Sequence, residues 1–193
     1  MLFRSPARDA AVWALDLETS GLSPRRGEIL SVGMVPIRAG TIRWGERFYS
    51  LVRPADPAHL SPAGVEAHHL LPADLTAAPP LCAVLAEVDQ RLREGTLLLH
   101  HAHLDLGFLR RAYRQCRLSW PRPPVVDTVD LLLRYERWRP PPKTRPPTAP
   151  AGSLSAARHA LGLPPHDAHH ALADALATAE LYLALQAKGQ GRR

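Results

Sequence analysis

Cysteine, lysine and aromatic residues are scarce in this sequence, and long apolar runs are missing. Two cysteines in 193 residues exclude a small disulfide-stapled scaffold. No apolar stretch approaches the roughly 20 residues that span a bilayer, so no membrane partner is expected. The arginines near Met1–Asp9 are not followed by an apolar segment, and no secretory signal is expected. We therefore expect a cytoplasmic protein with Cys82 and Cys116 as reduced thiols. Twelve glycines without a triplet period exclude a collagen-like chain. What is present is 46% hydrophobic and 22% charged residues, the balance of an ordinary globular domain. The length suits one such domain.

The charge is one-sided. The net charge is +6, and the cations are nearly all arginine, with Lys143 and Lys188 as the only lysines. This favours a polyanionic partner, nucleic acid first. Arginine, alanine, leucine and proline richness can also follow from genome base composition, so charge alone decides nothing.

Periodicity organises the chain. Ala11–Glu18 alternates, with Trp13, Leu15 and Leu17 on one face and Asp16 and Glu18 on the other, which predicts a strand. Ile29–Ile37 and Ile42–Val52 predict two more strands in an antiparallel meander. Arg53–Pro80 reads as loop with short helical pieces. Leu81–Leu92 has helical spacing. Thr96–Leu99 predicts a buried strand, Leu104–Cys116 a helix, Val125–Val129 a strand and Asp130–Trp138 a helix. The proline-rich run Arg139–Pro150 cannot be helical inside, because proline lacks a donor and clashes with the preceding turn; it reads as a surface loop with three positive charges. Ser153–Leu161 predicts a short helix with Ser153 as N-cap. Ala171–Ala187 predicts a strong helix with Leu172, Leu176, Ala179 and Leu183 toward the core. This order argues an α/β fold with a mixed sheet. The expected organisation is an extension over 1–10, one domain over 11–187 interrupted by the loop 139–150, and a frayed tail over 188–193.

Three segments carry chemistry. Asp16 and Glu18 are two apart on a strand, so their carboxylates point the same way, with Cα atoms roughly 6–7 Å apart. That suits a pair of divalent ions roughly 3.5–4 Å apart sharing a carboxylate. An isolated acid pair can also be a solvated strand face. Here the strand is otherwise apolar, so adjacent acids need a cation or cationic partners. The second segment, His100–Leu109, leaves the end of a predicted strand, where α/β proteins place their sites. Its Asp105 sits near a helix N-terminus, and taken alone suits a helix-dipole acid. The third is His166–Ala175. His169 and Asp174 would be about 140° apart on one helix, so His169 fits better on the lead-in loop, with Asp174 in the second turn. An acid in a fixed turn suits a metal ligand; a histidine on a mobile lead-in suits a general base. Pairs such as His100/His103 and His166/His169 raise zinc, but no cysteine is near them, and the oxygen-rich acids suit magnesium or manganese.

With these segments in order, the sequence resembles a known family. DLETSGL at Asp16–Leu22, HHAHLDLGFL at His100–Leu109 and HHALADA at His169–Ala175 look like the three motifs of the DnaQ-like 3′–5′ exonucleases, DEDDh subgroup. That group includes the proofreading epsilon subunit of DNA polymerase III. Val65–Leu70 and Val126–Leu132 resemble two lesser segments of the family. The resemblance implies an RNase H-like mixed five-stranded sheet flanked by helices. It implies Asp16, Glu18, Asp105 and Asp174 as ligands of two divalent cations, Mg2+ or Mn2+, and His169 as general base. It implies contacts to the terminal nucleotide from Thr19, Leu22, His68, His101 and Phe108, with Leu22 as a wedge. The implied partner is the 3′ end of single-stranded nucleic acid, DNA favoured over RNA, and a DNA polymerase is compatible with the resemblance. His101 stands where the family usually has Asn, His69 replaces a Gly, and Leu104 replaces a Phe. No polymerase- or clamp-binding tail is recognisable after Leu185. The implied activity is metal-dependent 3′–5′ exonuclease hydrolysis releasing nucleoside 5′-monophosphates. An RNA-trimming exoribonuclease and a catalytically silent nucleic-acid-binding module are the competing readings. Arg110, Arg111 and Arg114, with Arg139, Lys143 and Arg145, are candidates to steer the strand.

Overall fold

The computed structural model describes residues 10–56, 60, 62–137 and 152–190. The expected extension, apart from Ala10, and the proline-rich loop with its charges lie outside these residues. Strand β1 (Ala11–Thr19) is central. It pairs antiparallel with β2 (Ile29–Arg38) and parallel with β5 (Gly95–Leu99), which pairs parallel with β6 (Val125–Asp127). The expected third strand, Ile42–Val52, is corrected. It is two short strands, β3 (Thr41–Ile42) and β4 (Phe48–Leu51), separated by a 3-10 turn over Trp44–Glu46. Both pair with β2, so six strands fill five positions in a mixed sheet flanked by helices.

Alternation in β1 splits the core in two. Trp13, Leu15 and Leu17 pack on one face with α3 (Leu81–Arg93) and α4 (Ala102–Gln115). Val12 and Ala14 pack on the other with α5 (Thr128–Arg137), α6 (Leu154–Ala160) and α7 (Ala171–Gln190). Two short helices, α1 (Pro62–His68) and α2 (Pro72–Thr76), lie between β4 and α3. A strand buried on both faces fixes its register, because a one-residue slip would exchange its core faces.

Several boundaries move for identifiable reasons. Helix α5 starts at Thr128 rather than Asp130, because the Asp127 carboxylate accepts from Val129 N–H at 2.9 Å and caps the new turn. Ser153 does cap α6, accepting from Ala156 N–H at 3.2 Å. Helix α7 runs past Ala187 to Gln190. Its expected core stripe is corrected in part: Ala179 is buried and the half-buried Leu183 packs against the core, but Leu172 and Leu176 are half-buried, and the buried positions also include Ala171, Ala175, Leu181 and Leu185. The cause is close approach to the sheet. A Cβ on Gly33 of β2 would lie 2.3 Å from the Ala171 backbone, and only small residues fit such a contact.

The thiol expectation is also corrected. Cys82 and Cys116 form a disulfide with Cα atoms 5.4 Å apart. The first turn of α3 meets the end of α4, and the Tyr113 hydroxyl donates to Asp89 at 2.9 Å across the same pair of helices. No described helix is long and apolar enough to cross a membrane.

Candidate active site

The acids gather where β1 leaves the sheet. Asp16 and Glu18 have the parity of Val12 and Ala14, so they face α7. Asp174 lies in the first turn of α7 rather than the second, with its N–H bonded to the His170 carbonyl at 2.9 Å. Gly33 pairs with Asp16 in the sheet register, and it is over Gly33 that α7 comes down. This glycine is why an acid on a helix can meet two acids on a strand. Ligand atoms of Asp16, Glu18 and Asp174 lie within 4.8 Å of one another, the only such group of His, Cys, Asp or Glu among the described residues.

Asp105 stands apart from that tight group, in the first turn of α4 behind β5. Yet it is 7% exposed and is the leading charge acting on Asp16. Burial pushes Asp105 up to about 8, with Glu18 and Asp127 adding to it and backbone N–H groups of Asp105 and Leu17 opposing it. Burial first, then Asp174, pushes Glu18 to about 7. Asp16 is raised well above the usual carboxylate range by burial and by Asp105, Asp174 and Glu18. No Lys or Arg pairs with these four acids among the described residues. Buried carboxylates without a cationic side chain fit hard divalent cations that take oxygen ligands. Histidine is absent from the group, which departs from a zinc set.

The histidines are divided. His169 is exposed, at φ 66°, on the lead-in to α7. Its backbone N–H donates to Asp174 Oδ2 at 2.8 Å, so the loop is hinged on the acid. His68, at the end of α1, is 6% exposed and its ring is lowered by burial and by the neighbouring His69 and His169. Its Nδ1 accepts from Leu70 N–H at 3.1 Å. His69, where the family has Gly, does adopt a positive φ of 57°. His101 is the N-cap of α4 at φ 61°; its ring pairs with the Gly152 carbonyl. His100 is bonded to Thr128 Oγ1 at 2.8 Å and burial lowers it to about 4.

The nucleotide-contact candidates fall into two sets. Thr19, the last residue of β1, donates to the Gly21 carbonyl at 3.0 Å, and Leu22 in the accessible turn that follows is 83% exposed. Phe108 is 2% exposed. Its ring lies beneath Gly27, so it supports that turn from below instead of presenting a face. Arg111 does the same: its Nη1 donates to the carbonyls of Pro24 and Gly27 at 2.8 and 2.9 Å, which corrects its expected role in steering. A separate cavity of about 580 Å³, lined partly by Ile29, Val52, Leu81 and Phe108, holds none of the four acids.

The family model described as exonuclease, of the RNase T type, matches residues 13–182. The chain belongs to the exonuclease family. This exonuclease-family chain is 35% identical to a DNA polymerase III subunit epsilon-like protein of Rhodobacter capsulatus, over 97% of its own length and 26% of the relative's. It is 30% identical to a PolC-type DNA polymerase III of Thermotoga maritima, over 91% of its length and 12% of the relative's. It thus spans about a quarter or less of these relatives. Among solved structures, E. coli exonuclease I, in a zinc-bound complex with single-stranded DNA, superposes with a TM-score of 0.81 at 20% identity, over 95% of this chain and 42% of that one. That likeness carries the RNase H-like fold.

Sequence reasoning missed Gly33, Asp127 and Tyr49, and it placed His166 only in a zinc pattern. Gly33 had a signal, since glycine inside a strand marks a close backbone approach. Asp127 accepts from His101 and Ala102 N–H at 3.2 and 2.8 Å, so it fixes the start of the helix that bears Asp105. Tyr49 on β4 pairs with Gly33 and stacks on His170 at 4.9 Å between ring centroids. Neither pairing is visible in local sequence.

Proposed function

We propose that this chain is a metal-dependent 3′–5′ exonuclease that shortens single-stranded DNA and releases nucleoside 5′-monophosphates. One observation carries the reading: three acids from two distant segments converge within 4.8 Å, with a fourth, Asp105, acting on them. Neighbours of the same fold hold single-stranded DNA, and the epsilon-like and PolC-type relatives support a DNA polymerase as partner. Asp16, Glu18, Asp105 and Asp174 would hold two Mg2+ or Mn2+ ions. Bound there, the ions would acidify water and stabilise the leaving 3′-oxygen of the penultimate nucleotide. His169, exposed and hinged on Asp174, would take the proton of the attacking water at its ring nitrogen. Thr19 and Leu22 would seat the terminal nucleotide on the turn that Phe108 and Arg111 hold from below. His68 would approach from α1, and His101 from the N-terminus of α4. The four acids repel a phosphodiester, so without cations the site should bind DNA poorly.

The test uses end-labelled DNA and RNA oligonucleotides with Mg2+ or Mn2+, with Asp16→Ala beside the unsubstituted chain. Stepwise shortening from the 3′ end of DNA is expected, stopped by chelator and lowered several orders of magnitude by Asp16→Ala. Faster trimming of RNA would move the substrate class. No shortening of either would leave a nucleic-acid-binding module.

A further inference from the structure

We propose that His166 is a positioning residue for Asp174, and through it for the cation site; the inference rests on the metal reading above. The Asp174 carboxylate is held at both oxygens. His166 Nε2 lies 2.7 Å from Oδ1, and the His169 backbone N–H lies 2.8 Å from Oδ2. A carboxylate only accepts, so the imidazole presents its Nε2–H to it. Side-chain exposures of 9% for His166 and 12% for Asp174 leave this contact largely shielded from solvent. The opposite ring nitrogen, Nδ1, is buried and has no hydrogen-bond partner among the described residues. The ring therefore has one anchor, and it is the acid.

The segment before His166 is built to deliver it. Arg158 on α6 is 2% exposed. It donates to the Pro164 carbonyl at 3.0 Å and to the Ala177 carbonyl of α7 at 2.8 Å, and it pairs with Glu180 of α7 at 2.7 Å. Pro164 and Pro165 each fix their own φ and restrict the residue before them, so Leu163–Pro165 is a stiff approach to His166. One guanidinium thus ties the loop to the helix on which Asp174 sits, and His166 reaches the acid from a fixed base. A carboxylate held in this way still has lone pairs for an ion shared with Asp16 and Glu18, and it has already lost the freedom that an ion would otherwise have to remove. Hydrogen-bonding partners of metal ligands typically change metal affinity about 10–100-fold when removed.

Mn2+ titration of the full chain without nucleic acid, read by electron paramagnetic resonance, tests this beside thermal unfolding of each variant. His166→Gln places an amide donor near the Nε2 position and is expected to stay within about threefold of the unsubstituted affinity. His166→Phe fills the space without a donor, and His166→Asn carries a donor too short to reach; each should bind Mn2+ about tenfold or more weakly. Asparagine keeps the test open if the phenyl variant does not fold. A merely structural histidine would lower the melting point in all three and leave Mn2+ affinity unchanged. Unchanged affinity in His166→Asn, or a loss in His166→Gln as large as in His166→Asn, overturns the proposal while leaving the metal reading standing. An unsubstituted chain that binds no Mn2+ overturns both.

Discussion

Glu18→Gln should make the cation-free protein more stable at alkaline pH while weakening its cation site. In the fold, burial and Asp174 raise Glu18 from an ordinary value of 4.5 to about 7. The unfolded chain ionises near the ordinary value. Between these two pH values the folded state therefore holds a proton that the unfolded state has released. Stability is then full below about pH 4.5 and falls as pH climbs to about 7, where the folded carboxyl finally ionises. At about 1.36 kcal/mol per pH unit this amounts to roughly 3 kcal/mol. Glutamine keeps the shape and never ionises, so it escapes the loss. For a chain of this length, each kcal/mol moves the melting point roughly 2–4 °C, and an increase of about 6–12 °C is expected at pH 8.5 in chelator. At pH 4.5 the two proteins should melt together. Saturating Mn2+ should close the gap at pH 8.5, by favouring the ionised acids of the unsubstituted chain alone. Melting curves by circular dichroism between pH 4.5 and 8.5 read all of this. A Glu18→Gln variant that melts at or below the unsubstituted chain at pH 8.5 in chelator would refute the reasoning, because Glu18 would then be stabilising as an anion.

Three further outcomes follow from the geometry. His169→Ala should lower hydrolysis by about 10²–10⁴-fold and leave Mn2+ affinity near that of the unsubstituted chain; an unchanged rate assigns the proton to another group. Gly33→Ala places a methyl 2.3 Å from the Ala171 backbone, so α7 must lift from the sheet at a cost of about 3 kcal/mol or more, and Mn2+ binding should weaken with it. Equal melting points would mean that the contact is loose. Cys82→Ser opens a loop of 34 residues, which should cost about 3–4 kcal/mol in the chain-entropy view, measured by denaturant titration against the oxidised chain.

The sequence made the strands legible wherever alternation was strong. β1 was readable because its two faces differ: large apolar side chains on one, acids on the other. Helix α7 was readable as a helix, but not in orientation. Leu172, Leu176 and Leu183 outrank alanine on any hydrophobic scale, yet Ala171, Ala175 and Ala179 face the sheet. Distance of approach decided that, and Gly33 set the distance. The acids were individually ambiguous, and only their order along the chain made them a set. Their convergence depends on register between β1 and β2 and on the height of α7, neither of which is local. The disulfide was hidden for the same reason, since α3 and α4 bring together residues that no spacing rule connects. His166 was grouped with a zinc pattern because sequence shows separation along the chain and not the carboxylate beside it.

The placement of the acids at helix starts helps to explain how the fold tolerates them. Asp105 lies in the first turn of α4 and Asp174 in the first turn of α7, where the positive end of a helix dipole favours an anion by about 0.3–1 kcal/mol in ordinary exposure. The strand pair has no such help. Asp16 and Glu18 sit at the end of a central strand, and Glu18 is raised to about 7, which is a larger energy than a helix end supplies. Dipoles therefore cannot balance four acids at neutral pH; protons or cations must. Protons do it only by removing the charge a ligand needs. Divalent cations do it while keeping the charge, so the burial that weakens the empty fold, with the mutual repulsion that adds to it, is what a bound cation relieves. The two properties are therefore linked: a substitution that removes the buried charge, such as Glu18→Gln, stabilises the empty fold and weakens the cation site together.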